Sequence, residues 1–257
     1  MQSTPPRIKI VAGLFKASKK GFAKAVAEFK WTVRQNPEFW KDALLYCDRE
    51  SWSHVRPHAA AFGEVVVDDS LPDYVRNHPV WNCKVWWAQK ALERYERILY
   101  CDFDIAVLRP VDDALDQFLS RPPMFLYMPG FTKPDKQVCC GIVYYDRNIP
   151  EFEKFLELAY HKWHSDERAW TEVLAITREQ LVTSGRSLTP HIVDHTWLLA
   201  APPGQPEPYL IHGISCVDDG LYRMRRVGYG DRPYSVNLRE RLHYWKCAFF
   251  RLKNGEK

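Results

Sequence analysis

Residues 95–115 read YERILYCDFDIAVLRPVDDAL. The apolar run 98–101 predicts a buried strand that ends at Asp102 and Asp104, two carboxylates one residue apart. Side chains at positions i and i+2 point the same way on an extended backbone, so both carboxylates can share one hard cation such as Mn²⁺ or Mg²⁺. The alternative explanation is an acidic, solvated strand end. The apolar flanks favour the cation, because a buried acid without a partner is very costly.

The rest of the chain predicts strands that alternate with helices. Strands are predicted at about residues 7–15, 43–47, 64–68, 97–101, 105–108, 124–128, 141–145, 190–193 and 209–212. Helices are predicted at about 19–35, from a cap at Asn82 to about 95, after Pro150, and at 166–176. This alternation favours a mostly parallel α/β sheet, in which ligands bind at the carboxyl edge of the strands.

Length and composition indicate one α/β domain, alone or with an appendage. The chain has 257 residues, 46% of them apolar, and a net charge of +4, which is too small to indicate a polyanionic partner. Seven cysteines without a Cys-x-x-Cys pair predict reduced thiols and a cytoplasmic location. Residues 1–6 are polar and Pro-rich, so no signal peptide is predicted, and no apolar run reaches the roughly 20 residues of a membrane span.

The basic charge is concentrated in residues 221–257, which carry ten Lys or Arg and three acids. Leucine and aromatic residues recur at helical spacing within 238–253, with basic residues between them. This amphipathic segment has three interpretations. It docks on the core as a terminal helix, it contacts an anionic membrane surface, or it binds a nucleic-acid acceptor.

Beyond the two carboxylates, the chain resembles the GT-A-fold glycosyltransferases, in particular the retaining family that includes glycogenin and bacterial lipopolysaccharide galactosyltransferases. The resemblance rests on Lys84 on a helix, then Tyr-Glu-Arg, a strand, the Asp-x-Asp pair, a second apolar strand, Pro110 and an acidic helix start. Weaker matches follow in the same order along the chain. They are Cys140-Gly141 in place of an Asn-x-Gly turn, Asp166-Glu167 in place of an Asp-Gln helix start, and His212 in place of a late metal-binding histidine.

The resemblance implies a GT-A catalytic domain over residues 1–220, with a mixed, mostly parallel sheet flanked by helices, and a C-terminal extension over 221–257. It implies that Mn²⁺ or Mg²⁺ is held by Asp102, Asp104 and His212. Lys84 and Asp166 are the implied catalytic residues. The implied donor-binding residues are Ala12, Gly13, Lys84, Asp102, Cys140 and Gly141.

Each of these residues also has a simpler interpretation. A histidine after a strand is commonly a satisfied core group, and a helix lysine such as Lys84 is commonly solvated. Gly141 can serve an ordinary tight turn instead of a close approach to a sugar. Asp166 can contact the donor sugar or act as a base, or it can simply cap a helix.

The predicted function is the transfer of a sugar from a nucleoside-diphosphate sugar, with UDP as the expected nucleotide, to a glycan or another hydroxyl acceptor. A sugar nucleotidyltransferase is one alternative, although residues 12–16 are a poor match to a Gly-rich triphosphate loop. A non-catalytic nucleotide-sugar-binding protein is the other. The predicted location is the cytoplasm, or the inner face of a membrane if residues 238–253 bind it.

Overall fold

The computed structural model of the chain describes residues 8–16, 22–76, 80–128, 134–194 and 206–213. Its main sheet has six strands in the order β3-β2-β1-β4-β7-β6. The bounds of these strands are β1 Lys9–Leu14, β2 Leu44–Cys47, β3 Glu64–Val67, β4 Arg97–Cys101, β6 Met124–Leu126 and β7 Cys139–Asp146.

The main sheet is mixed and mostly parallel, as the sequence predicts. Strands β1 to β4 pair in parallel, whereas β7 is antiparallel to both β4 and β6. The carboxyl ends of the four parallel strands therefore meet at one edge of the sheet, and Asp102 follows β4 at that edge.

A smaller sheet of three strands carries the last part of the described chain. Its order is β5-β9-β8, with β5 at Ile105–Val107, β8 at Ile192–Asp194 and β9 at Leu210–His212. Strand β9 pairs antiparallel with β5 and parallel with β8. The nine strands of the described residues all lie where the sequence predicts a strand, but their division into two sheets was not predicted.

The helices cover both faces of the main sheet. Their bounds are α1 Phe22–Gln35, α2 Pro37–Trp40, α3 Trp52–Val55, a 3₁₀ helix Arg56–Ala61, α4 Asp73–Arg76, α5 Val80–Arg94, α6 Asp113–Phe118, α7 Phe152–Glu157, a π-helix Leu158–Trp163, α8 Asp166–Leu174 and α9 Arg178–Thr183. The prediction that Asn82 caps α5 is wrong. The helix starts at Val80, so Asn82 is its third residue, and a residue inside the helical turns cannot be the cap.

Alternate residues of the strands pack into two different hydrophobic cores. Leu99 of β4 packs in the core that contains Phe29 of α1, whereas its neighbour Ile98 packs in the core that contains Trp87 of α5 and Trp170 of α8. Neighbouring side chains of a strand point to opposite faces, so the sheet is buried on both sides. This burial holds the strand ends, and the side chains they carry, in fixed positions.

Part of the sequence interpretation lies outside the described residues. This applies to the extension 221–257, with its amphipathic segment 238–253, and the division of the chain at 220 stays a prediction. Within the described residues, none of the helices is both long and apolar enough to cross a membrane. The five described cysteines are free and buried.

Candidate metal centre and active site

Asp102, Asp104 and His212 converge at the carboxyl edge of the main sheet. Asp102 follows β4, Asp104 precedes β5, and His212 ends β9. Each residue offers one ligand atom, and these three atoms lie within 4.8 Å of one another. Ligands of one octahedral Mg²⁺ are about 3 Å apart when adjacent and about 4.2 Å apart when opposite, so side-chain adjustments of roughly 1–2 Å would bring these donors onto one ion.

The chemistry of this group fits a divalent cation. Asp104 Oδ1 is buried and accepts no hydrogen bond from a described residue, although His212 Nε2 lies 3.3 Å from it. Two carboxylates and an imidazole suit Mn²⁺ or Mg²⁺, and the imidazole favours Mn²⁺. The Asp102 and Asp104 side chains remain 39% and 23% exposed, so an ion can reach them from solvent.

Gly141 allows the imidazole of His212 to occupy its position. Of the two roles considered for Gly141, the tight turn is wrong, because the residue lies within a strand, and the close approach to the donor sugar stays a prediction. Gly141 is the third residue of β7, and its carbonyl accepts a hydrogen bond of 2.8 Å from the Asp102 N–H. A Cβ at this position would lie 1.8 Å from His212 Nε2, so only glycine leaves room for the ring.

Lys84 joins the metal centre to α8. Its Nζ lies 2.9 Å from Asp102 Oδ2 and 3.6 Å from Asp166 Oδ2, and its side chain is only 13% exposed. Burial alone would lower the pKa of Lys84, but the two carboxylates raise that pKa well above its usual value, so the amine stays protonated. The simple interpretation of Lys84 as a solvated helix lysine is therefore wrong.

Asp166 is a buried partner of Lys84 and not a helix cap. Ser165 is the N-cap of α8, because its hydroxyl accepts from the Arg168 N–H, and Asp166 is the first helical residue. Burial raises the pKa of the Asp166 carboxyl to about 6, although the Lys84 ammonium lowers it in part. Asp166 is only 4% exposed, so its carboxylate is held inside the protein.

The two carboxylates of the metal centre respond differently to their surroundings. Burial raises the pKa of Asp102; Lys84 lowers that pKa, and the Asp104 charge raises it. Burial would also raise the pKa of Asp104, but the charge of His212 and its contact with the carboxylate lower it below its usual value. For His212, burial would lower the pKa, but the neighbouring carboxylates of Asp104 and Asp194 help to raise it well above its usual value.

The predicted donor-binding residues of β1 and β7 differ in their access to solvent. Ala12 is completely buried, which leaves the half-buried Gly13 as the accessible residue of the pair. Cys140 is 1% exposed, because neighbouring residues of β7 face opposite sides and Gly141 faces His212. The Cys140 side chain therefore lies in the core and does not reach the donor site, and a donor contact through the Cys140 backbone stays a prediction.

Two acidic residues near this site were missed in the sequence. Asp194 ends β8 and is 1% exposed, and its Oδ2 lies 3.2 Å from His212 Nδ1. Glu28 of α1 is 8% exposed, and burial together with the Asp104 charge raises the pKa of its carboxyl to about 7. Asp194 had a signal, since an acid closes a short apolar strand as Asp102 does. Glu28 had none, because it stands among ordinary helix residues.

The chain matches known proteins in its structure but not in its sequence. No protein-family model matches it, and no curated protein sequence matches it. Solved structures do match. One is the glycosyltransferase GlyE of Streptococcus pneumoniae TIGR4, with a TM-score of 0.51 and 11% identity over 98% of this chain and 65% of GlyE.

A second matching structure is the galactosyltransferase LgtC, solved with donor and acceptor sugar analogues. Its TM-score is 0.51 at 13% identity, over 92% of this chain and 100% of LgtC. An active-site mutant of LgtC matches with a TM-score of 0.52 at 12% identity, over 94% of this chain and 96% of the mutant. The chain thus has the GT-A-type fold of these glycosyltransferases, as the sequence predicts, while it spans 65% of the length of GlyE.

Proposed function

We propose that this chain is a metal-dependent glycosyltransferase that moves a sugar from a nucleoside-diphosphate sugar, with UDP as the nucleotide, to a hydroxyl acceptor. The observation that carries the proposal is the convergence of Asp102, Asp104 and His212 at the carboxyl edge of a glycosyltransferase fold. Ligands of open α/β sheets bind at this edge.

The charges of the site support a requirement for a cation. The carboxylates of Asp102, Asp104 and Asp166 outnumber the single ammonium of Lys84. A diphosphate would meet net negative charge there, and like charges at short range repel each other. A divalent cation held by Asp102, Asp104 and His212 would offset this charge and act as a Lewis acid on the departing phosphate oxygens.

Lys84 and Asp166 support the donor in different ways. Lys84 supplies a permanent positive charge beside the metal ligands, where the diphosphate would lie. Asp166 holds the Lys84 ammonium from the other side and accepts the Glu167 N–H at 2.9 Å. We therefore assign Asp166 mainly to positioning Lys84.

The same geometry bears on the stereochemistry of transfer. Inversion needs a carboxylate base within reach of the acceptor hydroxyl, and Asp166 and Glu167 are the nearest candidates in the sequence pattern. A pKa of about 6 would suit Asp166 as a base, but burial keeps it from an incoming acceptor. Glu167 is engaged by Lys136 at 2.8 Å. We propose retention, with the leaving phosphate taking the acceptor proton.

Donor turnover tests the proposal. The purified chain is incubated with a panel of UDP-, GDP-, dTDP- and ADP-sugars, with and without Mn²⁺, and released nucleotide is measured. We expect UDP release that requires Mn²⁺ and is lost in Asp104→Ala. Glu93→Ala is the matched control, because Glu93 is an exposed acid of α5 that pairs only with Lys90 among the described residues. This control should keep full turnover.

The two alternative functions give different results in the same experiment. Pyrophosphate release from UTP and a sugar phosphate would identify a nucleotidyltransferase. Tight nucleotide-sugar binding, seen as a rise in melting temperature, without turnover on any acceptor would identify a binding protein. Metal-independent turnover that survives Asp104→Ala would contradict the proposal.

The acceptor and the location stay predictions. A glycan or another hydroxyl compound is the acceptor that the fold suggests, and a nucleic-acid acceptor has no support within the described residues. Sedimentation of the chain with anionic vesicles tests whether residues 238–253 contact an anionic membrane. Binding would favour a location at the inner face of a membrane, and no binding would favour the cytoplasm.

A further inference from the structure

We infer that Asp194 is a positioning residue that fixes the tautomer and orientation of His212 so that Nε2 faces the metal. The inference rests on the proposed metal centre and deepens it, since Asp194 belongs to no part of the site that the sequence pattern indicates.

Three strands of the small sheet place three side chains in a row. Asp104 directly precedes β5, His212 pairs with Ile105 across β5 and β9, and Asp194 pairs with His212 across β8 and β9. Residues paired on neighbouring strands stand side by side, which brings Asp194 to His212, and Asp104, one residue before the paired Ile105, lies 3.3 Å from the other side of the imidazole. The register of β8 and β9 thus brings Asp194 to His212 although 18 residues separate them.

The two nitrogens of His212 face different carboxylates. Nε2 lies 3.3 Å from Asp104 Oδ1, on the metal side, and Nδ1 lies 3.2 Å from Asp194 Oδ2. A neutral imidazole has one N–H donor and one lone pair, and a carboxylate can only accept. The Nδ1 contact with Asp194 is a hydrogen bond, whereas Asp104 Oδ1 accepts none, so the proton of the neutral ring is held on Nδ1 and the Nε2 lone pair is available to a cation.

Asp194 is placed to orient the ligand and not to act as one. The donor atoms that come within 4.8 Å of one another belong to Asp102, Asp104 and His212, and Asp194 lies beside the opposite ring nitrogen. Its 1% exposure leaves no route for an ion or substrate to reach it directly.

The position of the ring is fixed from a second direction by β7. The space that a side chain at Gly141 would need is filled by Nε2, Cε1 and Cδ2 of His212. The Gly141 backbone thus limits how far the ring can shift, but packing alone does not distinguish the two nitrogens. The hydrogen bond to Asp194 makes that distinction.

The test titrates Mn²⁺ alone into the metal-free chain, with binding followed by calorimetry or by the Mn²⁺ EPR signal. Loss of a carboxylate that orients a metal-binding histidine commonly lowers metal affinity about 10–100-fold, and we expect this for Asp194→Ala. Asp194→Asn keeps an acceptor oxygen for Nδ1–H and should recover most of the affinity. If Asp194→Ala does not fold, Asp194→Leu takes its place as a side chain of similar size without an acceptor.

A nitrogen NMR measurement reports on the tautomer directly. In the metal-free chain at alkaline pH, with histidine labelled with ¹⁵N and His212→Gln used for assignment, we expect the Nδ1–H tautomer of His212. Asp194→Ala should lose this preference and Asp194→Asn should keep it. Asp68→Asn is the matched control, because Asp68 is a buried acid that accepts from the indoles of Trp86 and Trp87 away from the metal ligands. It should lower the melting temperature without changing Mn²⁺ affinity.

The outcomes separate this inference from the proposed function. If His212→Ala weakens Mn²⁺ binding and Asp194→Ala does not, the inference is wrong and the metal centre stands. If His212→Ala and Asp194→Ala both bind Mn²⁺ like the native chain, the metal centre is wrong and the inference falls with it. Equal loss of affinity in Asp194→Ala and Asp194→Asn, with an unchanged tautomer, would also overturn the positioning role.

Discussion

Replacing Gly141 with alanine should damage the metal centre while most of the fold is kept. The new Cβ would lie 1.8 Å from His212 Nε2 and 2.3 Å from Cε1. Ordinary non-bonded contacts are about 3.5 Å, so the ring must move by roughly 1.5 Å or more. Metal–ligand distances tolerate changes of only about 0.2 Å. We therefore expect Mn²⁺ affinity to fall at least about tenfold.

Gly141→Ala should also lower the stability of the fold, and a second glycine variant with a similar loss of stability serves as its control. Adding a methyl group to a well-packed site costs about 1–3 kcal/mol, which lowers the melting temperature of a chain of this size by roughly 2–4 °C per kcal/mol. Gly13→Ala is the control, because its Cβ would lie 2.2 Å from Trp87 Cε3 and not against a metal ligand. The two variants should lose similar stability, and only Gly141→Ala should lose Mn²⁺ affinity.

The assay is a Mn²⁺ titration by calorimetry, paired with thermal melts of the native chain and both variants. Native-like Mn²⁺ affinity in Gly141→Ala would refute the assignment of His212 as a ligand. Equal loss of affinity in Gly13→Ala would show that reduced stability, and not displacement of the imidazole, explains the effect.

Two further predictions concern buried charges. Lys84→Ala leaves the buried Asp166 carboxylate without its ammonium, and breaking a buried pair costs about 3–5 kcal/mol, whereas the more exposed Asp102 carboxylate should add less. The loss of stability in Lys84→Ala, measured by thermal melts, should be larger at pH 8 than at pH 5. The reason is that Asp166, with a pKa of about 6, is mostly protonated and uncharged at pH 5. An equal loss of stability at both pH values would contradict this. Glu28→Gln should stabilise the chain, because the folded pKa of about 7 lies above the usual 4.5. The folded state then binds the proton more tightly than the unfolded state, so the Glu28 carboxyl increasingly destabilises the fold as pH rises from 4.5 to 7, by at most about 3 kcal/mol. Denaturant titrations at pH 5 and pH 8 measure the gain from Glu28→Gln, and a gain that does not grow with pH would contradict the burial of this carboxyl.

The sequence predicted the parts of the site that are local in the chain. Asp102 and Asp104 flank one residue between two apolar strands, so they are close because they are near in sequence, although a bend between β4 and β5, and not the predicted extended backbone, joins them. His212 was placed by the order of motifs in the resemblance. The assignment of Lys84 to the site also came from that order, but its contacts with Asp102 and Asp166 depend on how α5 packs against the sheet and α8.

The parts that were missed depend on strand register and tertiary packing. Asp194 meets His212 only because β8 and β9 are parallel neighbours, and short apolar runs do not reveal which strand pairs with which. The sequence indicated the strand that contains Gly141 but not the neighbour that requires a glycine there, because that neighbour is an imidazole from another sheet. Helices of four residues, such as α2 and α4, are too short to show a helical period.

Anomalous diffraction from crystals soaked in Mn²⁺ and UDP tests the proposed chemistry at atomic level. We expect one manganese peak bounded by Asp102, Asp104 and His212, with the diphosphate on its open side and Lys84 nearby. An empty carboxyl edge beside a bound nucleotide, or manganese at other residues, would contradict it.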